Sequence, residues 1–503
     1  MNNKNMSHKA VFRILAVLLH IPGIMAIISL LIPLIFQENY AYAPFLITAA
    51  VSFISGQVLY HLTKGDYDSN VSHSLMGTAL AWIVIPVVGA LPIYLIANQF
   101  PAGEVLPKTI ADFKIFLNSF FEAQSGFTST GLTMAVDPSQ LPHSIQWWRS
   151  FMEWIGGAGM ILFVISAFNL KVNEYNVYYA EGREDKIANT VHGTAKVIWW
   201  IYLGYTVLAF TLFVIFGMPV WEAVNHSLTG ISTGGFSITS NSMGSYTYDI
   251  KLVVALVMFL GAISFPTHSA MLKNLKPSSL WKHEQSKYLL ILTALGTIII
   301  LFLNWISESK LLWVDSFFQW VSALGTCGFS TVKEQDWSIG SQLLLAFGMI
   351  IGGAAGSTTG GIKISRFIIF SKWIKRNIAW VSKDPEQFKI ADTEGDQRRT
   401  VDRSFIAAGI LTFIWLLLIL IGTFILIYIL PDKFTLSNIF FETSSALGSV
   451  GLSTGITGPE MPDTGKIIFI LYMWMGRLEI IPVIILFSGF LKGIRSIFIR
   501  QNG

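Results

Sequence analysis

Apolar residues fill most of this chain in blocks too long for a soluble core, separated by short polar stretches. Spanning-length segments begin near Val11, Ala43, His73, Trp147, Val197, Leu252, Tyr288, Leu343, Phe405 and Ile467. About 20 helical residues cross roughly 30 Å of hydrocarbon, so the pattern predicts ten membrane spans. Four further apolar segments, at 113–127, 221–231, 312–324 and 436–447, are too short to cross and read as re-entrant half-helices. From about residue 71 the chain therefore runs span, half-helix, turn, span, four times over.

Each half-helix leads into one pattern: small or hydroxylated residues, a glycine, then Leu or Phe, then Ser or Thr. The four copies are Thr128-Ser129-Thr130-Gly131-Leu132-Thr133, Ser232-Thr233-Gly234-Gly235-Phe236-Ser237, Gly325-Thr326-Cys327-Gly328-Phe329-Ser330 and Gly448-Ser449-Val450-Gly451-Leu452-Ser453. Such repetition means a fold built by duplication, with its working site where the copies converge. The expected architecture is an all-α integral membrane protein. Two N-terminal spans (1–70) stand outside the repeat, and pore repeats at 71–190, 191–282, 283–395 and 396–503 surround a pseudo-fourfold pore.

Composition agrees. Hydrophobic residues make up 53% of the 503 positions and charged residues 13%, and the mean hydropathy is +0.58, which places the chain in the membrane class. The polar start to Lys9 and the long apolar run after Arg13, with no small-residue cleavage site, do not read as a cleavable signal peptide. The single cysteine, Cys327, excludes an internal disulfide framework and a Cys-based zinc cluster. Lys and Arg gather in alternate loops: Lys4 to Arg13, Lys171 to Lys196, Lys273 to Lys287, Lys372 to Arg403, and Lys492 to Arg500. That bias predicts cytoplasmic termini and half-helices entering from outside. Histidines at no zinc spacing, and the lack of a His-Glu-x-x-His helix or Gly-x-Ser-x-Gly elbow, argue against an enzyme. No nucleic-acid partner is expected. The hydrophilic stretch at 380–403 reads as a cytoplasmic connection and a docking surface for a regulatory partner.

A cation stripped of water needs several oxygen ligands, and glycine lets four backbones approach closely with carbonyls turned to an axis. The candidate ligands are Thr130 and Gly131; Thr233, Gly234 and Gly235; Thr326, Cys327 and Gly328; and Ser449, Val450 and Gly451. Half-helices ending there would aim their negative dipole ends at the ion. One such glycine could serve helix packing alone; four in register, each after a non-spanning segment, favour an ion site. The hydroxyls of Thr133, Ser237, Ser330 and Ser453 either add ligands or brace the turns. Nine positions before each ring glycine stand Glu122, His226, Gln319 and Glu442, expected to brace the filter rather than touch the ion.

After the third motif the chain reads Gly352-Gly353-Ala354-Ala355-Gly356-Ser357-Thr358-Thr359-Gly360-Gly361-Ile362-Lys363. So many Gly, Ser and Thr residues predict an unwound helix, a flexible plug beneath the filter, although Gly352 and Gly356 also form a small-xxx-small packing pair. A phosphate loop is rejected, because Gly361 is followed by Ile362 rather than Lys-Ser/Thr. Arg477 in the last span either sets a positive charge in the pore or makes a structural pair with Glu479 or Glu153; residues two apart on a helix do not face each other, which disfavours Glu479.

The four motifs, the glycine-rich break and Met475-Gly476-Arg477-Leu478-Glu479 resemble the Trk/Ktr/HKT superfamily of potassium transporters, through all four repeats. The two extra N-terminal spans are most similar to the TrkH-type branch. The resemblance implies K⁺ as the transported ion, bound at the filter, with Rb⁺ as surrogate and no organic cofactor. It implies gating by the break, with Arg477 on the path. It also implies a homodimer in the cytoplasmic membrane, with a cytoplasmic nucleotide-binding regulatory subunit of the TrkA type. A serine at the first ring glycine accompanies Na⁺ permeability in that superfamily; Gly131 keeps the glycine. Val450 and Cys327 leave the ring chemically uneven. Passive conduction and symport with H⁺ or Na⁺ both stay open, as do two other classes: the conducting subunit of an ATP-driven potassium pump, and a coupled solute transporter using Glu122 and Glu442.

Overall fold

Hydrocarbon offers the backbone no hydrogen-bond partners, so a chain this apolar satisfies its amides within helices. The computed structural model describes residues 8–65, 70–101, 106–160, 187–274, 278–308, 312–381 and 395–489, with isolated positions at 162, 165, 175, 176, 178 and 491. Every regular element among these residues is helical. Most of the hydrophilic stretch expected as a docking surface, 382–394, lies outside the described residues.

Six described helical runs are long and apolar enough to cross a membrane: Lys9–Phe36, Asn39–Leu62, Val71–Gln99, Val191–Ile215, Glu284–Ile306 and Arg403–Ile429. The last of these exposes Phe413, Leu420 and Phe424, a face suited to lipid rather than water. The half-helices invert the pattern of a soluble protein. In Phe116–Phe127, Asn118, Ser119, Glu122, Gln124 and Ser125 are all fully buried.

Among the described residues, ten uninterrupted spans do not form. The helices that follow the glycine motifs, His143–Ala158, Tyr248–Ala262, Ile339–Ile351 and Asp463–Arg477, have only 16, 15, 13 and 15 residues. At 1.5 Å per residue they reach about 20 to 24 Å, short of a bilayer core. Tyr248–Ala262 turns by 103° into Phe265–Lys273, and Asp463–Arg477 by 110° into Ile481–Gly489. Hydropathy sums side chains over a window and is blind to a bend, so broken and continuous spans look alike in sequence.

The N-terminal pair buttresses this assembly. Gly23 N donates to Ser52 Oγ at 2.7 Å, locking the first span against the second. Glu38, between them, accepts from His143 N at 2.7 Å and Ser144 N at 2.9 Å. A carboxylate there satisfies free amides and complements the positive end of His143–Ala158.

Candidate ion pathway

The half-helices Phe116–Phe127, Val220–Ile231, Trp313–Leu324 and Leu436–Gly448 end in the same way. Ser129, Thr233, Thr326 and Ser449 take left-handed φ values of 50°, 51°, 46° and 51°. Each donates its N–H to the carbonyl three residues back. The next residue, Thr130, Gly234, Cys327 or Val450, donates to Ser125, Thr229, Ser322 or Ser445 at 2.9, 2.9, 2.9 and 3.0 Å. This is the Schellman closure, whose left-handed position ordinarily belongs to glycine. A hydroxylated residue there costs roughly 1–2 kcal/mol per turn, strain that persists only where the surroundings impose it.

The glycine comes two residues later, for a different reason. Gly131, Gly235, Gly328 and Gly451 have φ of 89°, 83°, 93° and 97°. A β-carbon on Gly131 would lie 2.1 Å from the carbonyl oxygen of Gly234, and one on Gly235 would lie 2.1 Å from that of Cys327. On Gly328 it would lie 2.3 Å from Val450 O, and on Gly451 2.3 Å from Thr130 O. First turn meets second, second meets third, third meets fourth, and fourth returns to the first. The candidate ligands thus form one closed ring of backbone. Near it, the Gln124 amide and the hydroxyls of Ser125 and Ser449 are buried without a hydrogen-bond partner. Such polar atoms suit water or an ion.

The residues nine positions before the ring glycines all reach the chain leaving the ring. Glu122 accepts from Thr133 Oγ1 and Met134 N, both at 2.7 Å. Glu442 accepts from Ser453 Oγ at 2.7 Å, Thr454 N at 2.7 Å and Thr457 N at 2.9 Å. Gln319 Oε1 accepts from Thr331 N at 3.1 Å, and His226 Nε2 lies 2.9 Å from Ser237 Oγ. Thr133, Ser237 and Ser453 spend their hydroxyls on these contacts. Arg149 completes the first brace, with Nε 2.6 Å from Glu122 Oε1 and further bonds to Ser237 O and Thr133 Oγ1.

Below the ring, residues 352–363 leave the helical path between Ile339–Ile351 and Ile364–Val381. The excursion is tied at its base by Ile362 N to Ile350 O and Lys363 N to Ile351 O, both 2.9 Å. Lys363 bonds back to the Thr359 carbonyl, and Ser357 Oγ lies 2.7 Å from Thr359 Oγ1. Gly353 and Gly356 occupy its outgoing limb, where Phe265 N reaches Gly356 O at 2.9 Å. Its returning limb presses on the turns: Gly361 N donates to Gly448 O at 3.0 Å, and Gly360 N to Thr326 Oγ1 at 2.8 Å. Thr358 Oγ1 lies 2.9 Å from Gly261 O, 3.2 Å from Ile231 O and 3.1 Å from Thr233 Oγ1.

Arg477 joins this excursion to the first unit. Its guanidinium donates to Thr358 O at 3.0 Å and to the carbonyls of Gly156 and Gly157, where His143–Ala158 ends. Glu479 instead pairs with Arg366, and Glu153 accepts from Phe236 N at 3.1 and 3.0 Å. A cavity of about 370 Å³ opens on the other side of the excursion, walled by Ala355, Gly356, Lys363, Arg366 and Glu479. Sequence reasoning does not single out Arg149 and takes Glu153 only as a partner for Arg477. The available signal was two ionisable residues one helical turn apart in an apolar, membrane-depth helix.

Fold and site together define a multi-pass membrane protein of the transporter class, with four buried half-helices meeting in a backbone ring. The chain matches the TrkH family, described as cation transport proteins, over residues 41–493, and it belongs to that family. It is 32% identical to an uncharacterized cation transporter of Methanocaldococcus jannaschii, over 95% of each chain. With the Trk system potassium uptake protein TrkH of Vibrio parahaemolyticus it shares 28% identity, over 96% of this chain and 99% of the relative. The crystal structure of the potassium transporter TrkH from that organism superposes with a TM-score of 0.78 at 25% identity, covering 96% of this chain and 98% of the other.

Proposed function

We propose that this chain takes up K⁺ across the cytoplasmic membrane, through a selectivity filter formed by the four glycine turns. The observation that carries this reading is the closed cycle of ring glycines and neighbouring carbonyls. Backbone oxygens of Thr130 and Gly131, Thr233 to Gly235, Thr326 to Gly328, and Ser449 to Gly451 replace the hydration shell of the ion. The four pore repeats run 71–190, 191–282, 283–395 and 396–503, with both termini cytoplasmic. Glu122, His226, Gln319 and Glu442 hold the turns and stay off the ion.

The excursion at 352–363, held by Arg477, is the gate. Its position between ring and cavity supports this role, as does its contact with turns of the second, third and fourth repeats. The relatives' names, Trk system potassium uptake proteins, support K⁺ as cargo and further components in the system. The chain works as a homodimer with a nucleotide-binding regulatory subunit of the TrkA type at its cytoplasmic face.

The test is ⁸⁶Rb⁺ uptake by K⁺-depleted bacterial cells that lack their own K⁺ uptake systems and express the full chain. Uptake competed by K⁺ and not by Na⁺ supports the reading. Uptake indistinguishable from cells without the chain contradicts it.

A further inference from the structure

The second turn is braced differently from the others. In the first, third and fourth turns, the backbone N–H three positions past the ring glycine (Met134, Thr331, Thr454) donates to a side chain of that turn's own half-helix: Glu122, Gln319 or Glu442. In the second turn, the N–H one position past the ring glycine, that of Phe236, donates to both carboxylate oxygens of Glu153, from the neighbouring helix His143–Ala158. Glu153 is fully buried. Its Oε2 lies 2.3 Å from where a β-carbon of Gly234 would stand, so the carboxylate sits directly behind the backbone of this turn.

Peptide geometry gives this contact a consequence for the ion. The N–H of Phe236 and the C=O of Gly235 belong to one planar trans peptide and point in opposite directions. A carboxylate that holds the N–H therefore aims the Gly235 carbonyl away from itself, and polarises it through the same amide. The nearby cation, Arg149, has its guanidinium engaged by Glu122, Thr133 and Ser237. The Glu153 carboxyl thus holds the second turn at short range, in a buried setting, without a hydrogen bond from Arg149.

We propose that Glu153 is a specificity-determining positioning residue. It orients and polarises the Gly235 carbonyl through the Phe236 N–H, and so tunes the cation site on the side of the second turn. This rests on the reading of the four turns as a cation filter.

The test uses Glu153→Ala in the full chain, expressed in K⁺-depleted cells, with Glu153→Gln as the conservative variant and Gly235→Ser as companion. Two quantities are read: KM for ⁸⁶Rb⁺, and inhibition of uptake by Na⁺. Glu153→Ala removes the acceptor of the Phe236 N–H, so KM should rise about tenfold and Na⁺ should begin to compete. Glu153→Gln keeps an oxygen for that N–H and should stay within about threefold of the unaltered chain. A loss with Glu153→Gln as large as with Glu153→Ala overturns the proposal. No shift with Glu153→Ala, while Gly235→Ser abolishes discrimination against Na⁺, overturns it and leaves the filter reading standing. No effect of any variant overturns the filter reading as well. Should Glu153→Ala fail to fold, Glu153→Met fills the same space without an oxygen acceptor and is read in the same way.

Discussion

The position a β-carbon would take on Gly451 is 2.3 Å from the carbonyl oxygen of Thr130, so the last turn of the chain closes directly onto the first. Four segments far apart in sequence share one centre, and no side chain fits at any of the four junctions. Gly131→Ser or Gly328→Ser should therefore push a neighbouring carbonyl aside and add strain of roughly 1–2 kcal/mol at a positive φ. We expect Na⁺ to begin competing with ⁸⁶Rb⁺ uptake in both variants. Unchanged competition would exclude these junctions from selectivity.

Arg477 bonds the Thr358 carbonyl and the end of His143–Ala158 at once. Arg477→Gln loses this fork, leaves carbonyls unpaired and releases the excursion, so basal flux should rise. Arg477→Lys should restore little, since an ammonium cannot reproduce the planar geometry. Flux in proteoliposomes is the check, and wild-type flux in both variants would remove Arg477 from gating.

The excursion itself gives a second handle on the proposed gate. Thr358→Val keeps the shape and removes a hydroxyl that meets Gly261 O, Ile231 O and Thr233 Oγ1. The expected cost is about 1 kcal/mol, together with higher basal flux. Shortening the stretch 352–361 should raise flux further if it is a plug.

Arg149 and Glu122 form a buried pair, with side chains 1% and 0% exposed. Arg149→Met leaves the carboxylate uncompensated and should cost roughly 3–5 kcal/mol, lowering Tm in detergent. Adding Glu122→Gln should recover part of that loss, and a double-mutant cycle measures the coupling. Additive effects would mean that the pair is not a unit.

Much of this was legible in sequence because it rests on local signals. The half-helices were found by length, the turns by Gly and hydroxyl spacing, and the excursion 352–363 by its glycine density. What escaped was set by tertiary contact. Glu38 caps a helix that begins about a hundred residues later, and Glu153 braces a turn in another repeat. The bend after Ala262 does carry a local signal, Gly261 before it and Pro266 after it, which a hydropathy window passes over. Arg477 reaches backbone carbonyls of Gly156, Gly157 and Thr358, contacts which no residue pattern announces.

Glu334 supplies a pH dependence outside the spanning helices. Burial lifts its carboxyl to about 7, against hydrogen bonds from Ser330 and Gln319, and the charge of Glu442 pushes the same way. The folded protein therefore keeps a proton that the unfolded chain releases near its ordinary value of 4.5. Stability should fall as pH rises from about 4.5 to about 7 and level off above. Glu334→Gln should flatten the Tm profile across that window; an unchanged slope would assign it to another group.

The most direct test of the central claim is anomalous scattering from Rb⁺ in crystals of the chain grown with RbCl. A filter predicts a Rb⁺ peak on the axis of the ring, among the carbonyls of Thr130, Gly234, Cys327 and Val450, that weakens when K⁺ replaces Rb⁺ and persists in excess Na⁺. Bound Rb⁺ found only elsewhere, or a ring peak displaced equally well by Na⁺, would contradict it.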